Sequence, residues 1–324
     1  QKTGYEFKGW KLSTDGADIA SGDTFIMPAQ DVTLTAQWEK RADLSYTINY
    51  YRDSIAEENR IDEAVVVDEQ TFGDTVTLNQ ATIDFKRPAG YRAGIADPQS
   101  LVIKVEGNVF NVVYEKRTDL SYTVNYLEQG TGKVLHEAKT VDGQTFGAEV
   151  TESAIDIAGY NKVEPASTSI TIGASGNVIN FYYAKRTDLS YTVSYVDEDG
   201  NALADAKTVG DKTFGDTVTE DAIDIAGWAL DSVVADEFSV EGKTGSIVVG
   251  ADSAKNEIKF VYSKDETGTD DPEKGDGVPD KYQVTFTYVA AEGGSVSGAV
   301  KEVVTRLDEE GNYSADAPVS PRAD

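Results

Sequence analysis

The sequence predicts a mainly β chain of small α+β units in tandem, arranged as an elongated rod. Two observations carry this. A decapeptide occurs three times, as RADLSYTINY from Arg41, RTDLSYTVNY from Arg117 and RTDLSYTVSY from Arg186. Self-similarity at a fixed period, here roughly 70 to 80 residues, marks an array of small repeats. Each copy also alternates apolar and polar side chains, the period-2 pattern of a half-buried strand. Tyr122, Val124 and Tyr126 share one face while Thr123 and Asn125 share the other; Tyr46/Ile48/Tyr50 and Tyr191/Val193/Tyr195 repeat the scheme.

Taken in chain order, the repeats span 41–116, 117–185 and 186–264. Each opens with the decapeptide strand. In the second and third, short Gly-containing hairpins follow, EQGTGK and DEDGN (Asp197 to Asn201), with apolar residues on both sides. A second strand runs through AKTVDGQTFGAEVT (Ala138 to Thr151) or its counterparts AKTVGDKTFGDTVT and AVVVDEQTFGDTVT. The next phrase, TESAIDIAGY, is ambiguous: TESAID suits one helical turn with acids near its N-terminus, whereas Ile155 and Ile157 alternate like a strand. We read it as a short helix or turn. A closing strand follows, NVFNVVYEK, NVINFYYAK or NEIKFVYSK, with Phe110/Val112/Tyr114, Ile179/Phe181/Tyr183 and Ile258/Phe260/Tyr262 on its core face. The junctions YEKRTDLSY and YAKRTDLSY hold no Gly or Pro, which favours a semi-rigid rod on the order of 100 Å long over three repeats.

Residues 265–281, DETGTDDPEKGDGVPDK, hold seven acids, two lysines and no aromatic, so a solvated, extended linker is expected. Residues 282–324 begin another alternating strand, Tyr282/Val284/Phe286/Tyr288, as the truncated start of a further β-module. Both termini read as cuts within a longer protein.

The ordered phrases YTVNY, AKTV, GQTFG, AIDIAGY and NFYY resemble the MucBP-type (mucin-binding protein) repeats of Gram-positive surface adhesins over Arg41 to Lys264. The first repeat departs from that pattern in its hairpin and in IDFKRPAGY. Residues 1–40 resemble the C-terminal part of the internalin-type B repeat (Listeria–Bacteroides repeat), with Tyr5, Phe7, Trp10, Phe25, Met27 and Trp38 on the skeleton that family buries. The resemblances imply β-grasp-like domains in a cell-wall-attached protein, with mucin glycans or host surface proteins as partners.

Composition narrows the function. Apolar residues make up 40% of the chain, with no run of about 18 or more to cross a membrane. Acids outnumber bases 57 to 29, for a formal charge of −28, which repels nucleic acid and anionic membranes. The absence of cysteine removes disulfides, thiolate metal sites and thiol nucleophiles; with the acidic repeats it suggests an exported bacterial protein. One histidine, His136, aligns with Ala204 and Asp62 and so belongs to no repeated site; it reads as a solvent-facing hairpin position. We expect no enzyme, no catalytic, cofactor or metal residues, and a monomer.

Three chemical alternatives were weighed. GDGVPD (Gly275 to Asp280) resembles the tail of an acidic calcium loop, but with Asp276 at the fifth position, Lys274 and Pro272 fall where oxygen ligands belong. Weak calcium association with the acidic 270–280 segment is the most that follows. A Lys–Asn isopeptide bond could use Lys139 or Lys207 with Asn180, but Val65 and Lys259 replace the partners elsewhere. Trp228, aligned with Tyr160 and Tyr91, could stack on a sugar, although an aromatic in every repeat suits a core, and the chain's charge opposes sialylated or sulfated mucin. The expected function is a stalk projecting a binding domain from the cell wall; the alternative is a host-glycan or host-protein binding module acting through weak multivalent sites.

Overall fold

The computed structural model of the chain describes residues 1–239, 242–268, 274–287, 289, 290, 292–297, 301–305, 322 and 323. They divide into two compact units, one holding residues 1–125, 138–153 and 167–180, the other residues 126–137, 154–166 and 181–324.

The first unit opens with a three-stranded antiparallel sheet, β1 (Tyr5–Leu12), β2 (Asp18–Ile19) and β3 (Leu34–Lys40), in the order β2-β1-β3. A bulge between Phe7 and Gly9 adds one residue, so Phe7 and Trp10 come together. Phe7 packs edge-to-face on Trp10 at 5.2 Å and on Trp38 at 5.3 Å. The expected burial of the whole skeleton does not hold, since Trp10 is 39% and Met27 65% exposed. A sheet of three strands, one only two residues long, is too small to cover every ring.

The first repeat supplies β4 (Leu44–Arg52), β5 (Val65–Gln70), β6 (Thr75–Thr77), α1 (Gln80–Ile83), β7 (Ile95–Asp97), β8 (Ser100–Val102) and β9 (Val109–Tyr114). Its main sheet has the order β5-β4-β9-β7. The first and last strands lie parallel at its centre, with Ile48 opposite Phe110 and Tyr50 opposite Val112. β6 and β8 form a separate small pair. This is a β-grasp-like plan with the helix reduced to one turn. Ile48, Tyr50, Phe110, Val112 and Tyr114 are all within 1% of complete burial, each worth roughly 1.5–3 kcal/mol of apolar transfer.

The second repeat contributes β10 (Leu120–Glu128), β11 (Val134–Gln144), β12 (Glu149–Ser153), β13 (Tyr160–Lys162), β14 (Ser167–Thr171) and β15 (Val178–Lys185). β12 pairs with β14 in the first unit, and β13 with β15 in the second. In the second unit the third repeat restates the mixed sheet. It comprises β16 (Leu189–Asp197), β17 (Lys207–Lys212), β18 (Thr217–Asp221), β19 (Trp228–Val234), β20 (Glu237–Ser239), β21 (Thr244–Val248) and β22 (Glu257–Lys264). The orders are β17-β16-β22-β19 and β18-β21-β20, with Val193 opposite Ile258 and Tyr195 opposite Phe260 in the parallel pair. The hairpin after β16 closes as its sequence indicates, Asp197 N–H donating to Asn201 O at 2.9 Å. Beyond it, β23 (Gln283–Thr287) carries Val284 and Phe286 of the last alternating segment, whereas Tyr282, expected at its head, ends a single 3-10 turn (Asp280–Tyr282); Tyr288 lies outside the described residues.

The helical turn forms in one repeat only. TESAID and TEDAID extend strands β12 and β18, because Val150 and Val218 pair across to Ile170 and Ile247. In the first repeat two additional residues separate Thr77 from Ile83. There Asn79 caps the turn by accepting from Thr82 N–H at 2.9 Å.

Two side chains shared by the repeats tie the sheet to its connections. Asn108, at the head of β9, donates to Ser45 O and Lys104 O and accepts from Lys104 N–H, at 2.8–3.0 Å. Asn177 and Asn256 make the same three bonds to Ser121 and Gly173, and to Ser190 and Gly250. At the other end of the closing strand, Tyr114, Tyr183 and Tyr262 donate their phenols to Ile83 O, Ile155 O and Ile223 O at 2.5, 3.0 and 2.8 Å. Burial pushes the Tyr114 and Tyr262 phenols up to about 12, and Tyr191, buried and bonded to Glu220, to about 12 as well. A phenol with a raised pKa in the fold stabilises it fully below its ordinary value near 10 and loses that contribution as pH rises through the folded value. Unfolding by alkali is therefore expected between pH 10 and about 12, with phenolate absorbance and loss of far-ultraviolet dichroism rising together; ionisation well ahead of unfolding would contradict it.

Among the described residues, no helix is long and apolar enough to cross a membrane.

Candidate functional site

The feature that recurs in both units is a clasp between one repeat and the turn of the next module. Each repeat ends its connector in Gly followed by an aromatic: Gly90–Tyr91 and Gly159–Tyr160, with Gly4–Tyr5 in the opening sheet. These glycines have φ between +78° and +84°, a conformation that costs other residues about 1–2 kcal/mol. Their carbonyls accept from the N–H of Arg41, Arg117 and Arg186 at 3.0, 2.9 and 2.9 Å. The carbonyls of those arginines accept in turn from Phe72, Phe146 and Phe214, the aromatic of each TFG phrase, at 2.8–2.9 Å. The rings then meet edge-to-face: Tyr5–Phe72 at 5.8 Å, Tyr91–Phe146 at 5.7 Å and Tyr160–Phe214 at 5.5 Å. A Cβ on Gly159 would stand 2.5 Å from the Phe214 ring, so only glycine admits the contact.

The same arginines form two-point pairs with Asp43, Asp119 and Asp188 at 2.8–3.1 Å. Hydrogen bonding to the guanidinium holds each of those carboxyls below its usual range. Being exposed, these pairs add little stability. They do explain why Arg and Asp stand two apart in every copy of the decapeptide, whose leucine (Leu44, Leu120, Leu189) is buried.

The aligned aromatics are thus junction residues, with Tyr91 buried at 9% exposure beneath Phe146. Trp228 carries Lys264 over its ring at 4.9 Å. His136 is exposed on β11, its ring edge-on to Tyr126 at 5.4 Å. Lys139 and Lys207 pair with Glu152 at 2.6 Å and Glu220 at 2.8 Å, while Asn180 accepts from Asn125 at 2.8 Å. Glu152 and Glu220 also receive the phenols of Tyr122 and Tyr191. Bonds from Lys139 and then Tyr122 hold Glu152 low; at Glu220 burial pushes upward but Lys207 and Tyr191 outweigh it. In the first repeat Tyr46, Val65 and Leu78 take these three places and pack into the apolar core.

The 265–281 segment is more organised than a solvated linker. Asp265 N–H donates to Gly227 O, and its carboxylate accepts from Asp276 and Gly277 N–H at 3.0 and 2.8 Å. Asp280 accepts from Glu266 and Thr267. Lys281 reaches Glu198 and Asp231 at 2.5 and 2.8 Å, and Tyr282 donates to Asp231 at 2.7 Å. Sequence composition missed this because the acids act as acceptors for backbone N–H groups, which charge counting does not reveal. Asp276 also accepts from Gln283 and from Val278 N–H, so Asp276 and Asp280, the described carboxylates of the candidate calcium segment, are engaged by donors. Residues 269–273 of that segment lie outside the described residues. Among the described residues, no cluster of three or more metal-ligating side chains occurs.

Parts of the chain match known domain families. Residues 1–42 match the divergent InlB B-repeat domain, and residues 122–184 and 191–288 match the MucBP domain. A Gly-rich membrane protein of Evansella cellulosilytica is 25% identical over 293 residues, covering 81% of this chain and 31% of the relative. Internalin I of Listeria monocytogenes is 30% identical over 205 residues, covering 59% of this chain and 10% of the relative. The chain therefore spans less than a third of the length of these relatives. Among solved structures, the type 2 repeat of the mucus binding protein MUB from Lactobacillus reuteri is 14% identical over 44% of this chain and 99% of its own, with a TM-score of 0.18. The pilus adhesin SpaC from Lactobacillus rhamnosus GG is 8% identical over 74% of this chain and 46% of its own, with a TM-score of 0.21. Residues 1–42 thus belong to the divergent InlB B-repeat family and residues 122–184 and 191–288 to the MucBP family, while the first repeat, 41–116, lies outside the matched MucBP segments.

Proposed function

We propose that this chain is a segment of a bacterial cell-surface adhesin, in which tandem β repeats act as a monomeric stalk projecting a binding domain from the cell wall. The repeated clasp carries this reading. At three junctions a Gly–aromatic pair packs against the phenylalanine of the following module, the glycine carbonyl accepting from the arginine N–H and the arginine carbonyl from the phenylalanine N–H. The connections at Arg117 and Arg186 contain no Gly or Pro to act as a hinge. A spacer needs such joints, because in an array reach grows with copy number only if neighbours hold their angle. The MucBP and B-repeat matches, and the likeness to Internalin I, support a surface-adhesin setting. Small-angle scattering of the 324-residue chain is expected to give a monomer mass and a maximum dimension on the order of 100 Å or more for the repeats. A compact globule would end the spacer reading.

The second reading, a module binding mucin glycans or host surface proteins, has one specific observation in its favour: a locally basic depression in the first unit.

A further inference from the structure

A chain of formal charge −28 repels acidic glycans unless one of its faces is locally basic. Such a face exists in the first unit. A surface depression of about 800 Å³ is lined by Arg87, Pro88, Tyr91, Arg92, Arg117 and Asp119, with only small neighbours between them. Three guanidiniums there face the Asp119 carboxylate, and Asp84 is the other carboxylate near them. Arg117 is held by Asp119 through Nε and Nη2, and Arg92 donates to Thr118 Oγ1. Arg87 is exposed and makes no ion pair at contact distance among the described residues; the Asp84 carboxyl, which accepts from Gly94 N–H at 3.0 Å, is held low first by that bond and also by the nearby Arg87 charge, so Arg87 is partly balanced.

The sister junctions provide an internal control. Asp84 is the counterpart of Asp156 and Asp224, next to the isoleucine that accepts the closing-strand tyrosine, and Arg87 belongs to a longer stretch, FKRP, between that aspartate and the clasp that the other repeats lack. One residue past the aromatic, Arg92 stands where they have Asn161 and Ala229, and where the opening module has Glu6. The equivalent depression beside Tyr5 balances Lys8, Lys40 and Arg41 with Glu6, Glu39 and Asp43, and Lys8 is paired to both Glu6 and Glu39. The excess positive charge thus belongs to the first junction, supplied by the KRPAGYR stretch that departs from the other repeats.

We propose that this depression binds an oxyanion carried on a saccharide, a carboxylate or a sulfate, with Arg87 and Arg92 as the principal ligands. Guanidinium forks match such planar or trigonal oxygens in pairs, and more strongly than a point charge does. The volume falls in the range of sites for small organic ligands, well above the needs of a bare ion. Pro88 and the edge of Tyr91 offer apolar surface beside the charges. The proposal gives the glycan-binding reading a location and a ligand class, and is independent of the spacer role.

The test uses the whole chain with four probes: a sialylated trisaccharide, a sulfated disaccharide, the neutral parent sugar and inorganic sulfate, each titrated at low and physiological salt. Binding of one or both acidic sugars is expected, with none of the neutral sugar, and weakening as salt rises; which acidic sugar binds identifies the anionic group. The double variant Arg87→Asp/Arg92→Asn, which removes both guanidiniums, is expected to lose binding about tenfold or more with an unchanged dichroism spectrum. An Asp156→Arg/Asn161→Arg change at the second junction is expected to add a second binding event. No binding of either acidic sugar, undiminished binding by the double variant, or sulfate bound as well as the sugars (an adventitious ion only) would each overturn the proposal. Scattering dimensions of the same variants stay those of the parent chain, so failure here leaves the spacer reading untouched, and the reverse.

Discussion

Replacing Gly159 by valine is expected to open the second clasp and cost about 3 kcal/mol locally. Two effects add. The φ of +83° is strained for any side chain and more so for a β-branched one, at about 1–2 kcal/mol. The new Cβ also meets the Phe214 ring, so the ring must leave its place over Tyr160. The carbonyl of Gly159 then loses its bond from Arg186 N–H, and the carbonyl of Arg186 its bond from Phe214 N–H. Hydrogen exchange at those two amides reads the result, with protection expected to drop about a hundredfold. Phe214→Ala removes the ring without straining the backbone and is expected to give a smaller loss at the same amides. Unchanged protection in both variants would show that the clasp is a passive contact.

Asn256→Leu is expected to destabilise the third repeat by about 3 kcal/mol or more. The side chain is 6% exposed and satisfies Ser190 O, Gly250 O and Gly250 N–H. Leucine keeps the approximate volume but leaves those groups without partners, at roughly 1–3 kcal/mol for each that water cannot reach. The loss should appear as a lower urea midpoint followed by Trp228 fluorescence, with the slope unchanged. Asn256→Asp keeps an acceptor for Gly250 N–H but turns lone pairs toward two carbonyls, and should rescue little at neutral pH. If leucine is tolerated with an unshifted midpoint, the triple bond is not what anchors the head of the closing strand.

Much of this architecture is legible in the sequence because a strand's period survives without tertiary context. Tyr122, Val124 and Tyr126, or Ile258, Phe260 and Tyr262, announce their buried face by alternation alone, and burial follows. TESAID was harder: its acids and its alternation point to different elements, and only pairing with Ile170 or Ile247 decides between them. Asn108, Asn177 and Asn256 stood at the head of three matching phrases, yet nothing in composition distinguishes a buried anchor from a polar strand end. The clasp was hidden for a different reason. Phe146 and Gly90 belong to different repeats, so each looks like an internal feature of its own, and the signal is the joint presence of both at every junction. Arg87 and Arg92 were visible only as a departure from the pattern, and their significance depends on Arg117 arriving at the same surface.

The Lys–Glu–Tyr cluster of the later repeats and its apolar counterpart in the first have a bearing on heredity. Repeated segments of similar sequence invite unequal crossing-over, which would lengthen or shorten the array. An exchange between the first and second repeats within the shared TFG phrase would separate Lys139 from Glu152, producing hybrids that set Lys139 against Leu78 or Val65 against Glu152. The second kind of offspring would strand the Glu152 carboxylate, largely shielded from water, without its lysine, whereas Lys139 stays half exposed. Breakpoints on either side of the whole cluster carry no such handicap, and surviving recombinants of the array should concentrate there.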